Sequence, residues 1–100
     1  MNRKVIISKI AEKRLEELFN YLLENWSQKV KSDFIKILDD KIKLIKEYPK
    51  AFPESEKEKG LRKCVITKQT SMFYRFNTKQ ISIITFFDTR QNPKKLKKDL

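Results

Sequence analysis

The last apolar run of the chain, Ile81-Ser82-Ile83-Ile84-Thr85-Phe86-Phe87, passes directly into Asp88-Thr89-Arg90-Gln91-Asn92-Pro93 and then into Lys94, Lys95, Lys97 and Lys98. This places a guanidinium where buried sheet gives way to solvent, positioned to face a phosphate or a carboxylate. Arg62, Lys63, Lys68 and Arg75 lie on or beside neighbouring β-type runs. Arg75 falls inside Met72-Phe73-Tyr74-Arg75-Phe76, where a charge is costly to bury unless it is paired or reaches an open face. An ion pair with Asp88 is one way to satisfy it. These groups suit a reaction on RNA, whose ribose 2′-hydroxyl is a built-in nucleophile. Arg and Lys can position that hydroxyl and stabilise charge on the phosphorane. The acid and base would have to be Tyr, Lys or a carboxylate. Tyr74 is the candidate acid, set against its plainer reading as a core or sheet-face aromatic.

Other chemistries are excluded by composition. There is no His, the usual general base near neutral pH. The single Cys64 has no His partner for nucleophilic catalysis, and no Cys/His cluster could hold zinc. One Gly cannot build a phosphate-cradling loop. No cofactor and no metal are therefore expected. Asp39-Asp40, on a helix among lysines, read as surface charge.

The elements that must position these groups follow from periodicity. Val5-Ile6-Ile7 reads as a short first strand, and Ser8 as the cap of the helix after it. Ile10, Leu15, Leu18, Phe19, Leu22, Leu23 and Trp26 recur mostly at three- and four-residue steps, one apolar stripe of an amphipathic helix. Asn25-Trp26-Ser27 breaks it, with Ser27 a second cap. Val30, Phe34, Ile37, Leu38, Ile42 and Ile45 stripe a second helix, which Pro49 stops. The connection is short, so the two helices form an antiparallel hairpin. Residues 49–60 read as a polar loop with a solvated charge run, Glu54 to Lys59. After Gly60, three runs (61–67, 71–76 and 80–87) rich in β-branched and aromatic residues are joined by short polar turns, an antiparallel meander. The helices need an apolar surface and the sheet supplies one. The expectation is a single α+β domain over residues 1–100, ordered β-α-α-β-β-β, with the first strand at a sheet edge. The terminal lysine cluster reads as a solvated tail or, beside Arg90, as a nucleic-acid or acidic-partner surface.

The formal charge is +11, from 24 Lys/Arg against 13 Asp/Glu. Such a field attracts RNA, DNA, ribosomes, anionic membranes or an acidic protein, although a merely solvated lysine-rich surface would give the same count. The apolar runs fall far short of a membrane span and no leader sequence is visible. Cys64 cannot pair within the chain and reads as a buried thiol. A cytoplasmic protein with no membrane partner is expected.

Taken in order, these segments resemble the RelE/ParE superfamily of toxins from bacterial type II toxin–antitoxin modules. The matching features are Ala11-Glu12-x-x-Leu15-x-x-Leu18-x-x-Tyr21-Leu22, Pro49-x-x-Phe52-Pro53, Gly60-Leu61-Arg62-Lys63-Cys64, Phe73-Tyr74-Arg75 and Phe87-Asp88-Thr89-Arg90-Gln91-Asn92-Pro93. The resemblance implies a helical hairpin on a twisted, mainly antiparallel sheet. It implies a growth-inhibiting toxin of the plasmid-stabilising kind, neutralised by a small acidic antitoxin that wraps the chain and docks on an apolar groove of the helices. Arg62, Lys63, Lys94 and Lys95 are the candidate antitoxin- or nucleic-acid-binding residues. One branch of the superfamily enters the ribosome and cuts mRNA with basic sheet residues, to which Lys68, Arg75 and Arg90 correspond. That branch usually adds a Tyr or His a few residues past the final Arg, or a His on the sheet; the present chain has no His, and no Tyr between Pro93 and Leu100. The other branch poisons DNA gyrase and is not known to need a catalytic set. Gyrase poisoning is the favoured expectation. Ribosome-dependent mRNA cleavage is the alternative, and a non-toxic remnant that only binds antitoxin is a second one.

Overall fold

The computed structural model describes residues 3–90 and 93–100; Gln91, Asn92 and the side chains of Pro93, Lys94 and Lys95 lie outside the described residues. The order is β1 (Lys4–Ile7), α1 (Lys9–Asn25), α2 (Gln28–Glu47), β2 (Arg62–Val65), β3 (Thr70–Phe76), β4 (Gln80–Asp88) and α3 (Pro93–Asp99). The strands lie side by side as β1-β4-β3-β2, with β1 parallel to β4 and the other pairs antiparallel. The sequence reading of an α+β hairpin-on-sheet fold with β1 at an edge agrees with this. The lysine-rich C-terminal stretch does not: it is a third helix rather than a solvated tail.

Each helix start has a local cause. Ser8 Oγ accepts the Ala11 N–H at 3.0 Å and donates to the Ile84 carbonyl at 2.7 Å, so one hydroxyl both caps α1 and fastens it to β4. Ser27 Oγ accepts from the Val30 N–H at 3.2 Å and starts α2 two residues after α1 ends. Pro49 lies just beyond the α2 cap, Tyr48, and cannot continue the helix.

Two apolar clusters use opposite faces of the sheet. Met72 and Tyr74 on β3 join Cys64, Ile81, Ile83 and Phe86 beneath the hairpin residues Leu18, Leu22, Phe34, Leu38 and Ile45. The alternate residue, Phe73, packs with Leu61 and Leu96 on the other face. The β3–β4 register runs Phe73↔Thr85 and then Tyr74↔Ile83, so Ile84 is an extra residue in β4. That bulge lets odd-numbered Ile81 and Ile83 and even-numbered Phe86 share the hairpin-side cluster.

Not all of the apolar stripe read from the helices is covered. Trp26, Leu23, Val30 and Ile37 remain exposed while Leu18, Leu22, Phe34 and Leu38 are buried. At the other end of the molecule, Gly60 turns the chain with φ +79, a conformation that side-chain-bearing residues rarely adopt.

Candidate functional site

β4 delivers Arg90 to the hairpin side of the molecule. Its backbone N–H donates to Asp88 Oδ1 at 2.9 Å and its Nε to the same oxygen at 2.6 Å, while Nη2 donates to Oδ2. Asp88 also accepts from Thr70 Oγ1 at 3.0 Å. The guanidinium lies 4.4 Å from the centroid of the Tyr21 ring on α1, a cation–π contact. Burial pushes the Asp88 carboxyl up, but its bonds from Arg90 and Thr70 outweigh that and hold it below the ordinary carboxylate range. The hydrogen bond to Asp88 holds the Arg90 pKa above its usual value. The guanidinium is thus part of a fixed Asp88–Arg90–Tyr21 stack just past the end of β4, with about a third of its side chain exposed.

Arg75 is elsewhere. It leaves β3 on the face opposite Tyr74, donates to the Lys59 carbonyl at 3.0 Å and pairs with Glu58 at 2.9 Å. The expected pair with Asp88 is not made, because Arg75 stands opposite Ser82 in the register and Asp88 stands opposite Thr70. Those two positions of β3 are five residue steps apart, about 17 Å along a strand. Lys68, exposed in the β2–β3 turn, is at the Arg90 end, where the Thr89 N–H donates to the Gln69 carbonyl at 2.7 Å. The structure therefore brings Lys68 towards Arg90 and separates both from Arg75.

Tyr74 is fully buried and donates its hydroxyl to the Pro49 carbonyl at 2.7 Å. Burial raises its pKa to about 12. Here it ties the sheet to the end of α2. Cys64 beside it is also fully buried, and burial pushes its thiol up to about 11. Arg62 donates to the Phe52 carbonyl at 2.6 Å and lies 5.7 Å from the Phe76 ring centroid, so it holds the loop after α2. Lys63 lies exposed on the edge strand, and the Lys94 and Lys95 side chains fall outside the described residues. No group of three or more acidic or thiol side chains among the described residues could hold a metal ion.

Two concave surfaces flank these residues. The larger crosses the sheet face away from the hairpin, between Phe73, Phe87, Val65 and Lys63, the acidic loop from Glu54 to Glu58, and Leu96 and Leu100 of the C-terminal segment. The smaller is an apolar groove between Leu22, Trp26, Val30, Phe34 and Ile37, with Arg90 and Asp33 among its polar lining.

A further buried network was missed from sequence. Arg14 on α1 donates from Nε and Nη2 to the two carboxylate oxygens of Asp99 at 2.8 and 2.9 Å and from Nη1 to Glu17 at 2.9 Å. Thr85 on β4 donates to Asp99 at 3.0 Å. The bonds to Asp99 and Glu17 raise the Arg14 pKa, and the Arg14 bonds hold the Asp99 carboxyl below its usual range. The signal was present: Arg14 sits three residues after Ala11 and four before Leu18, on the buried line of α1.

The family model described as "ParE toxin of type II toxin-antitoxin system, parDE" matches residues 5–93. The fold is similar to that of a chain in the chromosomal ParDE toxin–antitoxin system from P. aeruginosa. The TM-score is 0.71 at 11% identity, over 86% of this chain and 95% of that one. It is also similar to a chain of the E. coli DinJ–YafQ toxin–antitoxin complex. There the TM-score is 0.62 at 11% identity, over 90% of this chain and 96% of that one. No curated protein sequence matches the chain significantly. With a family match across nearly its whole length and the fold expected of such a protein, the chain belongs to the ParE toxin family and is a type II toxin of the ParE/RelE superfamily.

Proposed function

We propose that this toxin arrests growth by binding and poisoning DNA gyrase, and that a small acidic antitoxin restrains it. The observation that carries the reading is the dispersal of the candidate nuclease residues. Arg75 and Arg90 stand at opposite ends of β3 and are each bound to a carboxylate. Tyr74, the candidate acid, is sealed in the core. Cleavage of RNA through its 2′-hydroxyl needs cations converging on one phosphate and a proton donor within hydrogen-bond reach of the leaving oxygen. A protein that acts by docking needs neither. The net charge of +11 favours an acidic antitoxin.

The test compares both targets. Expression without antitoxin should stop growth and block DNA supercoiling while mRNA on translating ribosomes stays intact by primer extension. Cuts at the ribosomal A site, lost in Arg90→Ala, would overturn the proposal in favour of the nuclease. Unimpaired growth from a well-expressed, folded chain would instead mark a remnant.

A further inference from the structure

The apolar stripe of α2 is wider than its own chain can cover. Phe34, Leu38 and Ile45 are buried. Val30, Ile37 and Leu44, at seven-residue steps on the adjacent flank, are 36%, 39% and 39% exposed. Tyr48, the cap that ends α2, and Trp26, the cap that ends α1 just before it, flank this row and are 58% and 64% exposed. On the other flank α1 is already in place, with Phe19 against Phe34 and Lys31 5.2 Å from the Phe19 ring centroid. An exposed apolar row at seven-residue steps along a helix of about 30 Å is a line that a second helix can cover.

The polar line beside the row says what that helix is. Lys29, Asp33, Lys36, Asp40, Lys43 and Glu47 follow one another at steps of four and three, and all are exposed. Their signs alternate at every step and sum to zero, on a chain whose net charge is +11. Lys43 is bonded within its own helix to Asp39 at 3.1 Å, but both side chains are mostly solvated, so this pair can exchange cheaply. An acidic partner would meet three carboxylates on this line. A copy of the same helix, reversed end for end, would not. About a midpoint near residues 37 and 38, Lys29 meets Glu47 of the partner subunit. Asp33 likewise meets Lys43 of the partner subunit, and Lys36 meets Asp40 of the partner subunit. The same reversal sets Val30 against Leu44 of the partner subunit and Ile37 against its own copy. The centres of the charged and apolar lines differ by one residue, about 1.5 Å of helix rise, well within side-chain reach. A two-fold contact needs one self-complementary patch, and flanking charges select orientation in paired helices.

We propose that this toxin self-associates through α2, two copies packing that helix antiparallel about a two-fold axis near Ile37. The inference is independent of the gyrase reading, since it rests on the solvent edge of the hairpin and not on the target.

Sedimentation equilibrium of the purified full chain tests it. The wild type should dimerise. Lys36→Glu and Asp40→Lys each put like charges together twice in a symmetric pair and should weaken the dimer roughly tenfold or more. Both positions are exposed, so these chains should fold normally. Mixing the two variants restores opposite charges at both contacts and should give a heterodimer as tight as the wild type. Ile37→Asp should be monomeric. A wild type that stays monomeric up to near-millimolar concentration would overturn the proposal. So would single reversals that dimerise like the wild type, or a mixture that does not reassemble. A monomer whose Lys36→Glu variant loses only antitoxin affinity would assign the face to that partner instead.

Discussion

Asp99→Asn tests how the third helix is fastened. The wild-type carboxylate takes two bonds from Arg14, at 2.8 and 2.9 Å, and one from Thr85, at 3.0 Å. The Arg14 and Asp99 side chains are 9% and 4% exposed. Asparagine keeps the shape and one acceptor but removes the charge, and leaves Glu17, itself 40% exposed, as the carboxylate partner of the guanidinium. Removing one partner of a buried pair costs about 3–5 kcal/mol. Undocking of α3 would rehydrate Arg14 at the cost of exposing Leu96, about 1.5–3 kcal/mol, and this limits the loss. The expected destabilisation is therefore about 3 kcal/mol, a drop in melting temperature of roughly 12–24 °C for a domain of this size. Urea unfolding followed by circular dichroism measures it, and partial undocking would appear as a smaller slope with denaturant. The pH dependence gives a second check. Asp99 is held below its unfolded value of about 3.9, so its contribution is present above that pH and is lost as pH falls through the folded value. The gap between wild type and Asp99→Asn should be full at neutral pH and close below about pH 4. A gap under about 0.5 kcal/mol at neutral pH, the size of an exposed pair, would refute the reasoning. A gap unchanged by acid would do the same.

Gly60→Ala should cost about 1–2 kcal/mol, because φ is +79 there and the new Cβ would stand 2.9 Å from Arg75 Nη1; thermal unfolding measures this. Tyr74→Phe leaves the Pro49 carbonyl without its buried donor and should cost about 1–3 kcal/mol while growth arrest at permissive temperature survives; loss of arrest by a folded variant would give Tyr74 a chemical role. Ser8→Ala removes both the α1 cap and the bond to Ile84, for about 1–2 kcal/mol by denaturant unfolding.

The frame of the fold was legible because period and punctuation agreed: Ser8 and Ser27 cap helices, Pro49 ends one, and the β-branched runs after Gly60 form the meander. The third helix was hidden by composition. Four lysines between Pro93 and Asp99 outweighed the helical signal of a proline in first position and the four-residue step from Leu96 to Leu100. Side-chain partners depended on register, which sequence does not print. Arg75 went to Glu58 because β3 sets it opposite Ser82, and the bulge at Ile84 had no local signature. The positions of Arg62, Lys63, Lys68 and Arg90 on or beside the sheet were legible; their dispersal over two faces and both ends was not. The exposure of Trp26 and Val30 was equally hidden, since an apolar stripe reports what can be buried and not how far the neighbouring layer extends.

The central claim is that this toxin acts on gyrase by binding. The most direct measurement adds the purified protein to DNA gyrase with supercoiled plasmid and ATP and stops the reaction with detergent and protease. Linear plasmid from trapped cleavage complexes is expected, undiminished in Arg75→Ala and absent without gyrase. Plasmid left intact, by a preparation that cuts mRNA on ribosomes, would contradict it.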